Sequence, residues 1–281
     1  MTCPAVMNVS MLTLRPEGRW LLFFDLDGTI MCGLDDVRPK MIETFQKLRK
    51  WGHKVFLATG RAPASIPKAY LEETDGSITL TGALCFFDRQ IIFKAGLADK
   101  NVLRLIHICE RLEVPVFLEN ERDFCAFGQP EWFTGQDALF YRTATLFLRN
   151  VREAEAAIQN GRNFLKGCMG GEAFRRLTGL ADRLPEGICP VWAGDCVDLI
   201  PEGVDKGKAA DLVIRKLHQP KHRTICFGDS DNDLELFRAC AIRVAVGEPS
   251  PRLMAEMTYK TVSVQKDGAA QIIEALGFLK P

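Results

Sequence analysis

The chain alternates between short continuous apolar runs and stretches whose apolar residues recur every three or four positions. Trp20–Asp25 (WLLFFD) is the first such run, the pattern of a parallel strand buried on both faces. A helix is predicted near Lys40–Trp51, with Pro39 at its start and Met41, Phe45 and Leu48 on one stripe. Gly52 ends it, and Lys54–Ala58 (KVFLA) predicts the next strand. A helix over about Ser65–Glu73 and a short strand at Ile78–Leu80 follow. The rhythm returns late, as a helix over Gly207–Leu217, a strand at Thr224–Phe227, a helix from near Asp233 and a strand at Ile242–Val246. Pro251–Met257, Lys260–Val264 and Gly268–Leu276 continue it as helix, strand and helix. This alternation predicts an α/β fold with a doubly wound, Rossmann-like parallel sheet.

The middle breaks the rhythm. Strands are predicted at Leu84–Phe93, Val116–Phe127, Thr145–Leu148, Cys189–Ala193 and Val197–Ile200, with helices near Lys100–Leu112, Arg152–Leu165 and Glu172–Leu184. Several of these strands look like hairpin partners. The expected organisation is a core over 1–83 and 201–281, interrupted by an inserted α/β domain over 84–200.

Composition acts mainly by exclusion. Of 281 residues, 47% are hydrophobic and 26% charged, which is globular rather than disordered. The 36 basic residues balance 36 acidic ones, so nothing drives non-specific binding to nucleic acid. No apolar run approaches the roughly 18–20 residues of a membrane span. The first twenty residues lack the pattern of a signal peptide, and Met7 and Met11 are alternative starts. Ten cysteines are scattered without CxxC or zinc-ligand spacing, which predicts reduced thiols in a cytoplasmic protein.

Four segments at strand ends or helix starts carry candidate chemistry, and that is where open α/β sheets bind ligands. Asp25-Leu26-Asp27-Gly28-Thr29 follows the first strand. Two carboxylates this close favour a hard divalent cation such as Mg²⁺, although an acidic loop end would read alike. Thr59-Gly60-Arg61 ends KVFLA; a hydroxyl beside a glycine amide can hold phosphate oxygens, or simply close a turn. Lys206 sits before a predicted helix, where a solvated charge is the plain alternative. Gly228-Asp229-Ser230-Asp231-Asn232-Asp233 is either a helix-cap cluster or the remainder of a metal site, and capping explains only one of its acids. Together these segments supply a carboxylate nucleophile, a second carboxylate for proton transfer, phosphate donors, a cation and metal ligands.

In this combination the sequence resembles the haloacid dehalogenase-like phosphatase superfamily, whose four motifs appear in order as FFDLDGT (Phe23–Thr29), LATGR (Leu57–Arg61), VDKGKA (Val204–Ala209) and GDSDND (Gly228–Asp233). It is most similar to the Cof-type sugar-phosphatase branch, with VAVGE (Val244–Glu248) and KDGAAQII (Lys266–Ile273) continuing the match. Only nine residues separate DxDGT from the first helix, while about 145 separate Thr59 from Lys206, so the insertion falls where that branch carries its cap. Thr81-Gly82-Ala83 and Glu248 depart from the branch, which often has Asn at the first and last of these positions.

The resemblance implies roles. Asp25 attacks phosphorus. Asp27 protonates the leaving oxygen and then activates water, with acidic surroundings expected to raise its pKa. Thr59 and the Gly60 amide hold the phosphoryl group, and Lys206 pairs with it. Mg²⁺ is bound by Asp25, the Asp27 carbonyl and Asp229, with Asn232 and Asp233 behind or beside them. Arg61 is a common branch residue on the substrate side. Within the cap, Trp132 in the aromatic stretch 127–135 is the candidate for stacking on substrate, against packing in the cap's own core; Gly167–Gly171 reads as a loop, and Glu119–Asp123 as a polar hairpin turn. The expected activity is Mg²⁺-dependent hydrolysis of a small phosphorylated metabolite, such as a sugar phosphate, through an aspartyl-phosphate. A phosphomannomutase-type mutase and a non-catalytic sugar-phosphate binder are the alternatives. A response-regulator receiver is too short and lacks the insertion.

Overall fold

The computed structural model describes residues 16–33, 35–180 and 184–279. The alternative starts Met7 and Met11, and residues 181–183 of the helix predicted to reach Leu184, lie outside these residues; Leu184 itself is not helical. Two sheets organise the molecule. The first has eight strands in the order β14-β13-β12-β1-β2-β3-β4-β5. Its centre is β1 (Leu21–Phe24), flanked in parallel by β2 (Lys54–Ala58) and β12 (Thr224–Gly228). β3 (Gly76–Thr79) extends the parallel set on one side, and β13 (Ile242–Val246) and β14 (Tyr259–Thr261) extend it on the other.

Every residue of β1 is buried, and alternation sorts its side chains. Leu22 and Phe24 pack with Met41, Phe45 and Leu48 of α1 (Pro39–Lys50) and with Ile272 and Ile273 of α10 (Gly268–Ala275). Leu21 and Phe23 join Ala209 and Val213 of α7 (Lys206–Lys216), Leu236 and Phe237 of α8 (Leu234–Ala239) and Leu253 of α9 (Pro251–Glu256) on the other face. The sheet is therefore covered on both sides, as the apolar runs require. α2 is a short helix, Lys68–Glu72, and adds Tyr70 to the first face.

The hairpin β4 (Leu84–Phe87) and β5 (Gln90–Lys94) pairs antiparallel onto β3 at the edge of this first sheet. The sequence pattern placed these residues with the insertion. Their alternation shows that they are strands but not which sheet they join; the turn at 80–82 folds them back onto β3.

The second sheet has six strands in the order β10-β11-β9-β6-β7-β8. They are β6 (Val116–Glu119), β7 (Phe124–Phe127), β8 (Leu146–Leu148), β9 (Lys166–Gly170), β10 (Ile188–Ala193) and β11 (Cys196–Pro201). All pairs are antiparallel except β7 with β8. Helices α3 (Asp99–Leu112), α5 (Val151–Gln159) and α6 (Gly171–Leu180) cover one face over a core that includes Leu118, Phe127, Met169, Val197 and Leu199. The other face carries Phe117, Ala126, Cys168 and Cys196, with Phe133 and, from α4 (Gly135–Tyr141), Phe140 against it.

Gly167–Gly171 is thus not a loop: 167–170 lie in β9 and Gly171 opens α6. The glycines blur the alternation, yet Gly167 is needed there because a Cβ would come within 3.2 Å of the Leu199 Cβ on the neighbouring strand. The helix predicted to Leu165 stops at Gln159, and α4 was not foreseen from the pattern. All nine described cysteines are free thiols. Among the described residues no helix is long and apolar enough to cross a membrane.

Candidate active site

The chain enters β2 on one side of β1 and β12 on the other, so the carboxyl ends of these strands open at a topological switch point. Asp25 follows β1, Thr59 follows β2 and Asp229 follows β12, which gathers three distant segments on one floor. Gly28 turns the chain away after Asp27 with φ +79°, and its N–H donates to the Met31 carbonyl at 2.9 Å. A Cβ at Gly28 would lie 2.4 Å from an Asp229 oxygen, so glycine serves both the turn and the close approach.

Lys206 is the first residue of α7, whose N-cap is Asp205. Its side chain is completely buried, and its ammonium donates to Asp25 Oδ1 at 2.6 Å and Asp233 Oδ1 at 2.7 Å, with Asn232 Oδ1 at 3.4 Å. Burial alone would push this ammonium down, but the Asp233 and Asp25 carboxylates hold it above the ordinary lysine range. Asp233 also accepts the Asp229 and Ser230 amides through Oδ2, at 3.1 and 3.4 Å. It therefore caps the turn before α8 and anchors the lysine together. Thr29 Oγ1 donates to Asp229 Oδ1 at 3.0 Å.

One carboxylate oxygen each of Asp25, Asp229 and Asp233 fall within 4.8 Å of one another. Burial and the Asp233 charge push Asp25 well up, although Lys206 pulls it down; burial and Asp233 push Asp229 up to about 7. Three acids against one ammonium leave this floor short of positive charge. Its donors are hard oxygens, so the set fits a divalent cation of the Mg²⁺ or Ca²⁺ kind.

Asp27 stands apart from that cluster. Its side chain is 52% exposed, and Arg61 grips both its oxygens, at 2.6 and 2.8 Å. Arg61 is itself held by the Ser65 and Gly33 carbonyls, each at 3.0 Å. The acidic crowding expected around Asp27 is found around Asp25 instead, because the turn at Gly28 carries the Asp27 side chain toward Arg61.

These residues line a cavity of about 690 Å³ between the two sheets. Asp25, Asp27, Thr59, Gly60, Arg61, Asp229 and Asn232 belong to it, while Lys206 and Asp233 lie beneath. The second sheet contributes Glu119, Phe124, Lys166, Cys168, Cys196 and Asp198, and α4 contributes Phe140. Residues 120–123 form the polar hairpin turn expected between β6 and β7, while Glu119 is the last residue of β6, buried and ion-paired to Lys166 at 3.0 Å. Glu119, Lys166 and Asp198 escaped the sequence reading, although a lone charge in an otherwise apolar strand signals a buried partner.

Trp132 lies outside this cavity. It packs half-buried against the helix-side core of the second sheet, its ring edge facing Gly128, and lines a separate groove with Trp192 and Asp137. Another groove, of about 730 Å³ beside Arg104, His107 and Glu186, brings together no comparable set of acids among the described residues.

A floor that can surround a phosphoryl group with an ammonium, a hydroxyl and a cation, and present a carboxylate to it, is the equipment of a hydrolase acting on phosphoric monoesters. Residues 22–273 match the haloacid dehalogenase-like hydrolases, and the chain belongs to that family. Among its relatives is the putative phosphatase YkrA of Bacillus subtilis, 28% identical over 92% of this chain and 98% of its own. Another, also from Bacillus subtilis, is the 5-amino-6-(5-phospho-D-ribitylamino)uracil phosphatase YitU, 25% identical over 91% of this chain and 96% of its own. The fold is shared with the HAD subclass IIB sugar phosphatase BT4131, with a TM-score of 0.75 and 24% identity over 92% of this chain and 99% of that one. It is shared equally with the phosphatase BT1666 of Bacteroides thetaiotaomicron, with a TM-score of 0.76 and 21% identity over 94% of this chain and 98% of that one.

Proposed function

We propose that the protein is a Mg²⁺-dependent phosphatase of small phosphorylated metabolites, sugar or polyol phosphates foremost, and that Asp25 is its nucleophile. The observation that carries this reading is the buried pair of Asp25 and Lys206 at 2.6 Å, at a strand end facing the cavity. Lys206 orients the carboxylate and offers positive charge where phosphoryl oxygens gather. Thr59 and the Gly60 amide grip those oxygens from the end of the neighbouring strand β2. Asp27 moves the proton, first to the leaving oxygen and then from water, and Arg61 fixes its orientation through both oxygens. Asp25, Asp229 and the Asp27 carbonyl are the ligands assigned to Mg²⁺, with Asp233 and Asn232 supporting them. When bound, Mg²⁺ neutralises the charge that the three acids and the phosphoryl group would otherwise set against one another.

The inserted segment, taken as 84–200 from the sequence and contributing its own sheet from Val116 onward, is proposed as a cap that selects the leaving group. Phe124 and Phe140 offer it an apolar wall, and Arg122, Gln136, Thr143 and Thr145 offer hydrogen-bonding partners to hydroxyls. The names of YitU and BT4131 support a leaving group rich in hydroxyls. A phosphate-release screen over sugar phosphates, polyol phosphates, nucleotides and phosphorylated cofactors tests the reading. Turnover of the first two classes with Mg²⁺, abolished by EDTA, is expected. No release from any monoester, or full activity in metal-stripped protein, would reject it.

A further inference from the structure

Lys166 opens β9 and is buried at the roof of the cavity, far in sequence from every motif on the floor. An ammonium has three protons to donate. Here they meet Asp198 Oδ1 at 2.8 Å, Glu119 Oε1 at 3.0 Å and the Gly60 carbonyl at 2.8 Å. The first two partners belong to the second sheet. The third belongs to the loop after β2. The other oxygen of Asp198 accepts from the Thr81 hydroxyl, so the cluster crosses from the second sheet to the first at two points.

The loop 59–61 has each of its carbonyls held. The Thr81 N–H donates to Thr59 O at 3.1 Å, and the Leu80 N–H donates to Arg61 O at 3.0 Å. Both donors come from the turn 80–82 of the first sheet, where Leu80 and Thr81 adopt φ of +52° and +55°. A branched residue such as Thr81 is held at that angle only when its surroundings fix it. The middle carbonyl, that of Gly60, is the one that the second sheet holds. Gly60 permits this approach because a Cβ would stand 3.1 Å from an Asp198 oxygen.

The same peptide unit that accepts from Lys166 donates on its other side. The Arg61 N–H reaches Thr59 Oγ1 at 3.1 Å. That bond occupies one lone pair of the hydroxyl of Thr59, a residue that lines the cavity. A chain of contacts therefore runs from Lys166 through the Gly60–Arg61 peptide to the Thr59 hydroxyl.

We infer that Lys166 is a positioning residue: seated in the second sheet, it sets the Gly60–Arg61 peptide so that the Thr59 hydroxyl grips a phosphoryl oxygen, and the grip depends on that sheet being docked. The inference rests on the reading that Thr59 and Gly60 bind the phosphoryl group. It assigns the roof a part in holding phosphate itself, beyond selecting the leaving group.

The test reads phosphate binding rather than turnover. Inorganic phosphate is titrated calorimetrically into wild type, Thr59→Ala, Lys166→Met and Lys166→Met with Glu119→Gln, all in Mg²⁺. The paired variant keeps the buried cluster at its native net charge, so it answers even where Lys166→Met alone fails to fold. Lys166→Met with Glu119→Gln is expected to weaken phosphate binding about 10-fold, the scale of one charge-assisted hydrogen bond. Added to Thr59→Ala, it should weaken binding by less than about 2-fold further, because both changes break one chain of contacts. Unchanged affinity in the paired variant, or losses that multiply in full on the Thr59→Ala background, would overturn the positioning role. Wild-type protein that binds phosphate but hydrolyses no monoester would instead reject the phosphatase reading and leave the coupling measurable.

Discussion

Two buried lysines serve the cavity, Lys206 beneath its floor and Lys166 in its roof, and each sits between two carboxylates. Lys206 on the floor pairs with Asp25 and Asp233; Lys166 on the roof pairs with Asp198 and Glu119. Their surroundings differ in what remains unsatisfied. On the roof, the third proton of Lys166 goes to a backbone carbonyl, so the cluster is complete without a ligand. On the floor, a third acid, Asp229, stands against the same single ammonium. A set of charges that closes on itself holds geometry. Both sets carry excess negative charge, one unit on the roof and two on the floor, and it is the larger excess of the floor that fits a divalent cation. The pairing motif is common to both, and the size of the leftover charge separates binding chemistry from scaffolding.

The comparison breaks first at the nucleophile. Asp25→Asn should lower kcat by at least about 10³-fold, since an amide cannot attack phosphorus usefully, while circular dichroism and melting temperature stay near wild type. Asp27→Asn should cost about 10²–10⁴-fold, the range for loss of an acid–base group, and single-turnover rates would show both ester cleavage and intermediate hydrolysis slowed.

Removing the lysine on the floor should be costly in a way that a cation relieves. Lys206→Met leaves three acids buried together, and a loss of about 3–5 kcal/mol in metal-free protein is expected from chemical denaturation. Mg²⁺ should restore part of that loss. On the roof the paired Lys166→Met, Glu119→Gln change should show no such rescue, because no cation site is expected there. Equal rescue of both would erase the distinction between them.

The floor should also bind its cation in a pH-dependent way. Burial and the Asp233 charge push the Asp229 carboxyl up to about 7, and Asp25 is raised in the same direction. Mg²⁺ must displace these protons to bind, so its apparent affinity should weaken as pH falls below about 7 and level off above it. The sign for stability is opposite: for an acid raised from 3.8 to about 7, the metal-free fold loses stability as pH climbs through that window. Calorimetric titration of Mg²⁺ between about pH 6 and about pH 8, the lower and upper sides of that value, checks the first claim. An affinity that is flat with pH would contradict it.

The smallest expected effect is at Trp132. Packed half-buried against the core of the second sheet, its change to Ala should cost roughly 1–3 kcal/mol of stability, below the range for fully buried aromatics. It should alter kcat/KM alike for a sugar phosphate and a small aryl phosphate. A loss confined to the sugar phosphate would place the ring on the substrate after all.

The floor was legible in the sequence because its chemistry is local. DxDGT, TGR, the lysine before α7 and GDSDND each sit within a few residues of a strand end, and apolar runs reveal those ends. The roof was not legible, since Lys166, Glu119 and Asp198 come from three strands whose adjacency is fixed only by the order β11-β9-β6. Each is one charge among apolar neighbours, which implies a buried partner without saying which. The hairpin at 84–94 escaped for a related reason. Period-two alternation marks a strand, while sheet membership depends on the left-handed turn at Leu80 and Thr81, two residue types that rarely adopt it. Trp132 stayed open between two roles in the sequence because an aromatic near glycine and proline looks alike whether it meets a substrate or its own core.

The account turns on a covalent bond to Asp25, and acid-quenched single turnover reports on that bond directly. Wild-type protein mixed with a turned-over monoester is quenched, digested with trypsin at low temperature and analysed by mass spectrometry. The expected result is a phosphoryl group on the peptide Trp20–Lys40, whose Arg38–Pro39 bond trypsin leaves intact, assigned to Asp25, accumulating in Asp27→Asn and absent from Asp25→Asn. Steady hydrolysis with no label on that peptide at any quench time, or the same label in Asp25→Asn, would contradict it.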